Sequence, residues 1–125
     1  MAKLKSSLLL AMLSLLIAIC SAKNTCSFQT EHVPIYVKAG TQHSGDNKSS
    51  NISASISGHT LTIIFTANMG EVLIRIDDEN GSHIDCEYIE TPNGYIYYIP
   101  LDGRYTVEFY FSDGDEYYGV FDVTN

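Results

Sequence analysis

From Ile52 to the end of the chain, apolar and polar residues exchange places with a period of two. Ile52, Ala54 and Ile56 alternate with serines, and Leu61, Ile63 and Phe65 alternate with Thr62, Ile64 and Thr66. Val72, Ile74 and Ile76 alternate with Leu73, Arg75 and Asp77 in the same way. This rhythm sends one set of side chains into a core and the other outward, which is the behaviour of half-buried β-strands. Ile64 and Leu73 interrupt the polar set and predict strands partly covered on both faces. Further strands are predicted near 83–90, at Tyr95–Ile99, Arg104–Phe111 and Tyr117–Val123, and upstream at about Val33–Lys38. Breaks at Gly58-His59, Asn68-Met69-Gly70, Pro92-Asn93-Gly94 and Ser112-Asp113-Gly114-Asp115 separate them. Asn80-Gly81 suits a type I′ hairpin turn, whose two central residues both need positive φ. Eight short strand candidates with regular turn signals, and no helical periodicity, predict an antiparallel sandwich or barrel.

The first 22 residues read as an address rather than as part of the fold. Lys3 and Lys5 precede the uncharged run Leu8–Cys20, which is too short for a helix of about 20 residues spanning a bilayer. A basic start, a short apolar centre and the small residues Ser21 and Ala22 predict a secretory signal peptide cleaved after Ala22. Residues 17–20, Ile-Ala-Ile-Cys, also resemble a bacterial lipoprotein signal. The bulky Ile19 departs from that pattern, so a lipid anchor at Cys20 is the lesser expectation. The domain then divides into an N-terminal strand and polar loop over 23–51 and a main body over 52–125.

Composition narrows the function classes. With 45% hydrophobic and 18% charged residues the 125-residue chain has the make-up of one globular domain. The formal charge is −8, and removal of residues 1–22 takes Lys3 and Lys5 with it and leaves −10. Such a surface repels nucleic acid and anionic lipid, so neither is an expected partner. Beyond the leader, Cys26 and Cys86 remain. In an exported protein they form a possible disulfide, with two unbridged thiols as the equal alternative. Asn47-Lys48-Ser49 and Asn51-Ile52-Ser53 fit the glycosylation sequon but read better as ordinary loop residues.

The segments Leu61–Phe65 and Gly70–Ile76 with Asn80-Gly81 resemble a family of small exported domains of unknown function from gut-dwelling Gram-negative bacteria. Ile99-Pro100-Leu101, Gly103-Arg104-Tyr105-Thr106-Val107 and Tyr118-Gly119-Val120-Phe121 extend the likeness over roughly residues 31–124. The resemblance implies an all-β, immunoglobulin-like antiparallel β-sandwich of about seven to eight short strands. It implies no activity, since its motifs are core and turn residues. A weaker likeness, to C-terminal sorting domains of secreted bacterial proteins, rests on the Gly-x-Tyr-x-Val strand and the final hairpin.

Asp102-Gly103-Arg104-Tyr105 resembles a tyrosine corner, so Tyr105 is expected to be buried and structural. The acidic tips Asp77-Asp78-Glu79 and Asp113-Gly114-Asp115-Glu116 lack the ligand spacing of a calcium loop. No metal site and no cofactor is expected. Eight of the nine tyrosines lie in the second half of the chain, and rings on an exposed sheet bury much area at low entropy cost. Tyr95, Tyr97 and Tyr98 are the candidate ligand-binding residues, with Tyr95 and Tyr97 sharing one face; Tyr110 is expected to oppose Phe109 and Phe111. His32, His43, His59 and His83 are scattered and no catalytic motif is present, so the protein is not expected to be an enzyme. The sequence therefore predicts a non-catalytic binding or adhesion module in the periplasm, at the cell surface or outside the cell, with an unknown protein or glycan partner. The alternatives are a structural subunit that assembles by edge-strand addition and, less favoured, a small hydrolase or inhibitor.

Overall fold

The computed structural model describes residues 29–38 and 48–125. The signal-peptide and lipid-anchor expectations, Cys26 and most of the loop after Lys38 lie outside the described residues. Among the described residues nine strands follow in chain order: β1 Thr30–Val33, β2 Tyr36–Val37, β3 Ile52–Ser57, β4 Thr60–Phe65, β5 Glu71–Asp78, β6 His83–Glu90, β7 Tyr95–Tyr98, β8 Gly103–Phe111 and β9 Glu116–Val123. They form an antiparallel sandwich, one sheet ordered β1-β3-β4-β7 and the other β2-β9-β8-β5-β6. A single 3-10 turn, Lys48–Asn51, leads into β3.

The period of two sets the core. Ile52, Ala54, Ile56, Leu61, Ile63 and Phe65 from the first sheet meet Val72, Ile74, Ile76, Val107, Phe109 and Phe111 from the second, all buried. Phe65 meets Phe109 edge to face across the two layers, with ring centroids 6.2 Å apart. Ile64 is not covered on its second face by any described element and is 53% exposed.

The predicted strand at 33–38 is two strands. Pro34 carries no N–H for a ladder, and the chain crosses at Pro34-Ile35 from the first sheet to the second. β1 therefore pairs with β3, while Tyr36 and Val37 lie opposite Tyr118 and Tyr117 of β9. The crossing runs close over β9 at Gly119. A Cβ there would sit 2.9 Å from the Pro34 carbonyl oxygen and from Val33 Cγ1, so glycine is the residue that lets the strap pass.

The β5–β6 hairpin also departs from expectation. Only Gly81 has positive φ (81°), and its N–H donates to Asp78 O at 3.0 Å. Asn80 keeps a negative φ, so the turn is type I closed by glycine rather than type I′. The cause is local: the Asp78 carboxylate accepts the Asn80 and Ser82 N–H groups at 2.9 Å each and fixes that conformation.

Tyr105 is 6% exposed, and its hydroxyl donates to the Leu101 carbonyl at 2.8 Å, the bond of a tyrosine corner. Tyr105→Phe deletes that bond alone. The expected result is a loss of about 1 kcal/mol in stability by urea titration, with no change in fold.

Candidate functional site

On β7 the alternation turns Tyr95 and Tyr97 inward and Tyr98 outward. Tyr95 is 5% exposed, stacks on Tyr97 at 6.2 Å and donates its hydroxyl to Asp85 of β6. Burial, reinforced by that carboxylate, pushes its phenol well above the ordinary range. Tyr97 is half-buried and its hydroxyl donates to the Ile84 carbonyl at 3.3 Å. Of the three candidate rings Tyr98 alone faces solvent, stacked 5.7 Å from His59. Tyr95, Tyr97 and Tyr98 are thus not one ligand face. β7 ends its sheet beside β6, and its inward rings close the flank of the sandwich.

The larger aromatic surface is the outward face of the five-stranded sheet, roughly 19 Å across at about 4.8 Å per strand. Its register aligns Tyr36, Tyr118, Glu108, Arg75 and Cys86 across all five strands. The neighbouring row is Glu116, Tyr110, Leu73 and Tyr88. Tyr36 and Tyr118 form a tilted pair 5.7 Å apart at one side, and Tyr88, 66% exposed, stands at the other. Tyr110 faces outward between the buried Phe109 and Phe111.

Between the rings lies a fixed charge network. Glu108 points outward yet is 8% exposed, because Lys38, Arg75 and Tyr110 cover it. Lys38 Nζ lies 2.7 Å from one carboxylate oxygen and Arg75 Nη2 2.9 Å from the other, while the Tyr110 hydroxyl also donates to Glu108. Both cations sit 5.1 Å from the centre of the Tyr110 ring. Burial alone raises the Glu108 pKa, but the hydrogen bonds from Lys38, Tyr110 and Arg75 outweigh it and hold the carboxyl at about 2. The bond to Glu108 likewise holds the Lys38 ammonium charged well above its ordinary range. Two open depressions flank this ridge. One of about 520 Å³ is lined by Val37, Lys38, Thr106, Glu108 and Tyr118. The other, about 200 Å³, is lined by Glu71, Leu73, Tyr88, Tyr110, Phe111 and Ser112.

The acidic tips are occupied by the chain's own groups. Asp77 faces His83 and Arg75, and the Asp78 carboxylate is taken by the turn. Lys48 Nζ bridges Asp113 at 2.6 Å and Asp115 at 2.5 Å. The two tips lie at opposite ends of the sandwich, since Val72 pairs with Phe111 and Asp78 with Tyr105. Among the described residues no group of three or more His, Cys, Asp or Glu side chains is placed to hold a metal ion. Nor, among them, is any helix long and apolar enough to cross a membrane. Cys86 is exposed on β6, with no disulfide partner among the described residues.

A family model described as Domain of unknown function (DUF3244) matches residues 32–123, from β1 to the last residue of β9. The chain belongs to this family. The DUF3244 match takes in both sheets, the tyrosine corner and every residue of the Tyr36–Tyr88 face. A solved member of DUF3244 from Bacteroides vulgatus, described as having an immunoglobulin-like β-sandwich fold, is similar in structure with a TM-score of 0.62. It is 16% identical, and the alignment covers 75% of this chain and 98% of that one. At that identity the likeness establishes the fold, an immunoglobulin-like β-sandwich. No curated protein matches the chain.

Proposed function

We propose that this protein is an exported, non-catalytic binding module that holds its partner on the outward face of the five-stranded sheet. The observation that carries the reading is the pair Tyr36 and Tyr118 at one side of the face and Tyr88, in the neighbouring row, at the other, about a rigid Lys38–Glu108–Arg75–Tyr110 centre. Exposed phenol rings stack on flat partners and cost little entropy to immobilise. With Glu116 3.7 Å from Lys38 and Asp77 3.5 Å from Arg75, the two cations of the network are compensated, and the chain carries −8 overall, so a neutral glycan suits the face better than a polyanion. The basic, apolar leader supports export, to the periplasm or beyond. The non-catalytic reading is supported by the engagement of His59 and His83 at separate places, with Ile99 O and with Asp77.

The test is retention on immobilised neutral polysaccharides. The wild-type protein and Tyr95→Phe, which changes only an interior hydroxyl, are expected to be retained. Tyr36→Ala/Tyr118→Ala is expected to lose retention at least tenfold while melting as a folded domain. Equal retention by that variant overturns the reading.

A further inference from the structure

Each sheet of the sandwich ends in two strands, and three of the four are guarded against pairing with another chain. β6 carries Asp85 and Glu87 on its inward side, opposite the core residues Ile76 and Ile74. Inward carboxylates on an edge are a recognised defence against edge-to-edge association. β2 has two residues, and β1 carries Glu31 and is followed by Pro34. Beyond its shortness, the one guard of β7 is Pro100, two residues past its end. Its four residues are uncharged, and Ile96 and Tyr98 are 71% and 63% exposed, with Ile64 beside them at 53%.

The hydrogen-bond phase of β7 fixes which main-chain groups are open. The Ile99 N–H donates to His59 O at 2.8 Å, and His59 precedes Thr60, the partner of Tyr98. In an antiparallel ladder the bonded positions recur every second residue. Tyr95 and Tyr97 therefore turn their N–H and C=O groups to β4, whereas Ile96 and Tyr98 turn theirs to an edge that no other described strand covers.

We infer that β7 is a self-pairing edge, joining two copies of this chain antiparallel about a two-fold axis through Tyr97. That axis sets Ile96 opposite Tyr98 of the second copy, and Tyr98 opposite its Ile96. Both open N–H and C=O pairs then close, giving four main-chain bonds, and each exposed isoleucine packs on an exposed tyrosine. A self-complementary edge of this kind favours a second copy over an unrelated extended peptide. Electrostatics agrees on the outward side of this sheet, where Ser53, Ser55, Ser57, Thr60, Thr62 and Ile64 are all uncharged in a chain of −8. Asp85 and Glu87 lie along the same flank of the sandwich and oppose the approach, so added salt strengthens the pair. The site is separate from the five-stranded face and does not depend on its function.

Sedimentation velocity of the purified protein, with reductant to keep Cys86 from cross-linking, tests this. The expected result is a concentration-dependent dimer that tightens between 50 mM and 500 mM salt. Ile96→Lys and Tyr98→Lys, both at exposed side chains, are expected to remain folded by circular dichroism and to sediment as monomers. Thr62→Lys, on the same face but one strand in from the edge, is expected to keep the dimer. A wild-type protein that stays monomeric at the highest attainable concentration overturns the inference. So does a dimer that survives both edge variants, or one that Thr62→Lys also abolishes, since that result means face-to-face packing.

Discussion

Lys48→Met is expected to lower stability by about 3–4 kcal/mol at neutral pH, read from the urea midpoint. Lys48 lies between two carboxylates of unequal exposure. Asp113 is 53% exposed and turns to water when the lysine is gone, but Asp115 is 2% exposed and has no such escape. Burial disfavours the Lys48 charge, and the bonds to Asp113 and Asp115 overcome this and raise its pKa. The ammonium also lies 5.5 Å from the Phe111 ring centre, so its stem is part of the packing at this end of the sandwich. Removing the cation strands a buried charge, which costs more than the pair itself contributes. Adding Asp115→Asn to Lys48→Met is expected to recover a large part of the loss. A double variant no more stable than Lys48→Met alone refutes the explanation.

Glu108→Gln is expected to cost about 2 kcal/mol at pH 7, less than the loss of a partner from a fully buried pair. Lys38 and Arg75 keep 38% and 29% of their side-chain surface, so solvent screens part of what they lose. The pH dependence is the sharper signature. The folded carboxyl titrates at about 2 against an ordinary 4.5, so the folded state binds fewer protons than the unfolded one in between. Its stabilisation is complete above about pH 4.5 and fades as the pH falls towards 2. Urea midpoints of the wild type are expected to drop across that interval, with a shallower fall in Glu108→Gln. Parallel slopes for the two proteins sink the assignment.

Most of the fold was legible in the chain because alternation is a local signal. Leu61, Ile63, Phe65, Val72, Ile74 and Ile76 point inward as their period requires, and the glycine-bearing breaks fall between strands. The split at Pro34 was missed because strand propensity on either side of it is unbroken. Only the close passage over Gly119, 85 residues away along the chain, reveals a change of sheet. The proposed binding face was harder still. Tyr36, Tyr118 and Tyr88 belong to β2, β9 and β6, and only the strand order sets them on one surface. Tyr95, Tyr97 and Tyr98 attracted attention as neighbours in sequence, yet neighbours in a strand face opposite ways. Tyr110 between Phe109 and Phe111 carried the usable clue. Nothing local announces that Lys38, Arg75 and Glu108 converge.

The Pro34-Ile35 crossing bears on how the domain resists tension. A segment that belongs to both layers cannot be peeled from one without tugging the other. Force entering upstream of Thr30 first meets the β1–β3 ladder, then the strap wedged against Gly119, then β2 on β9. Rupture thus proceeds through successive catches rather than one zipper.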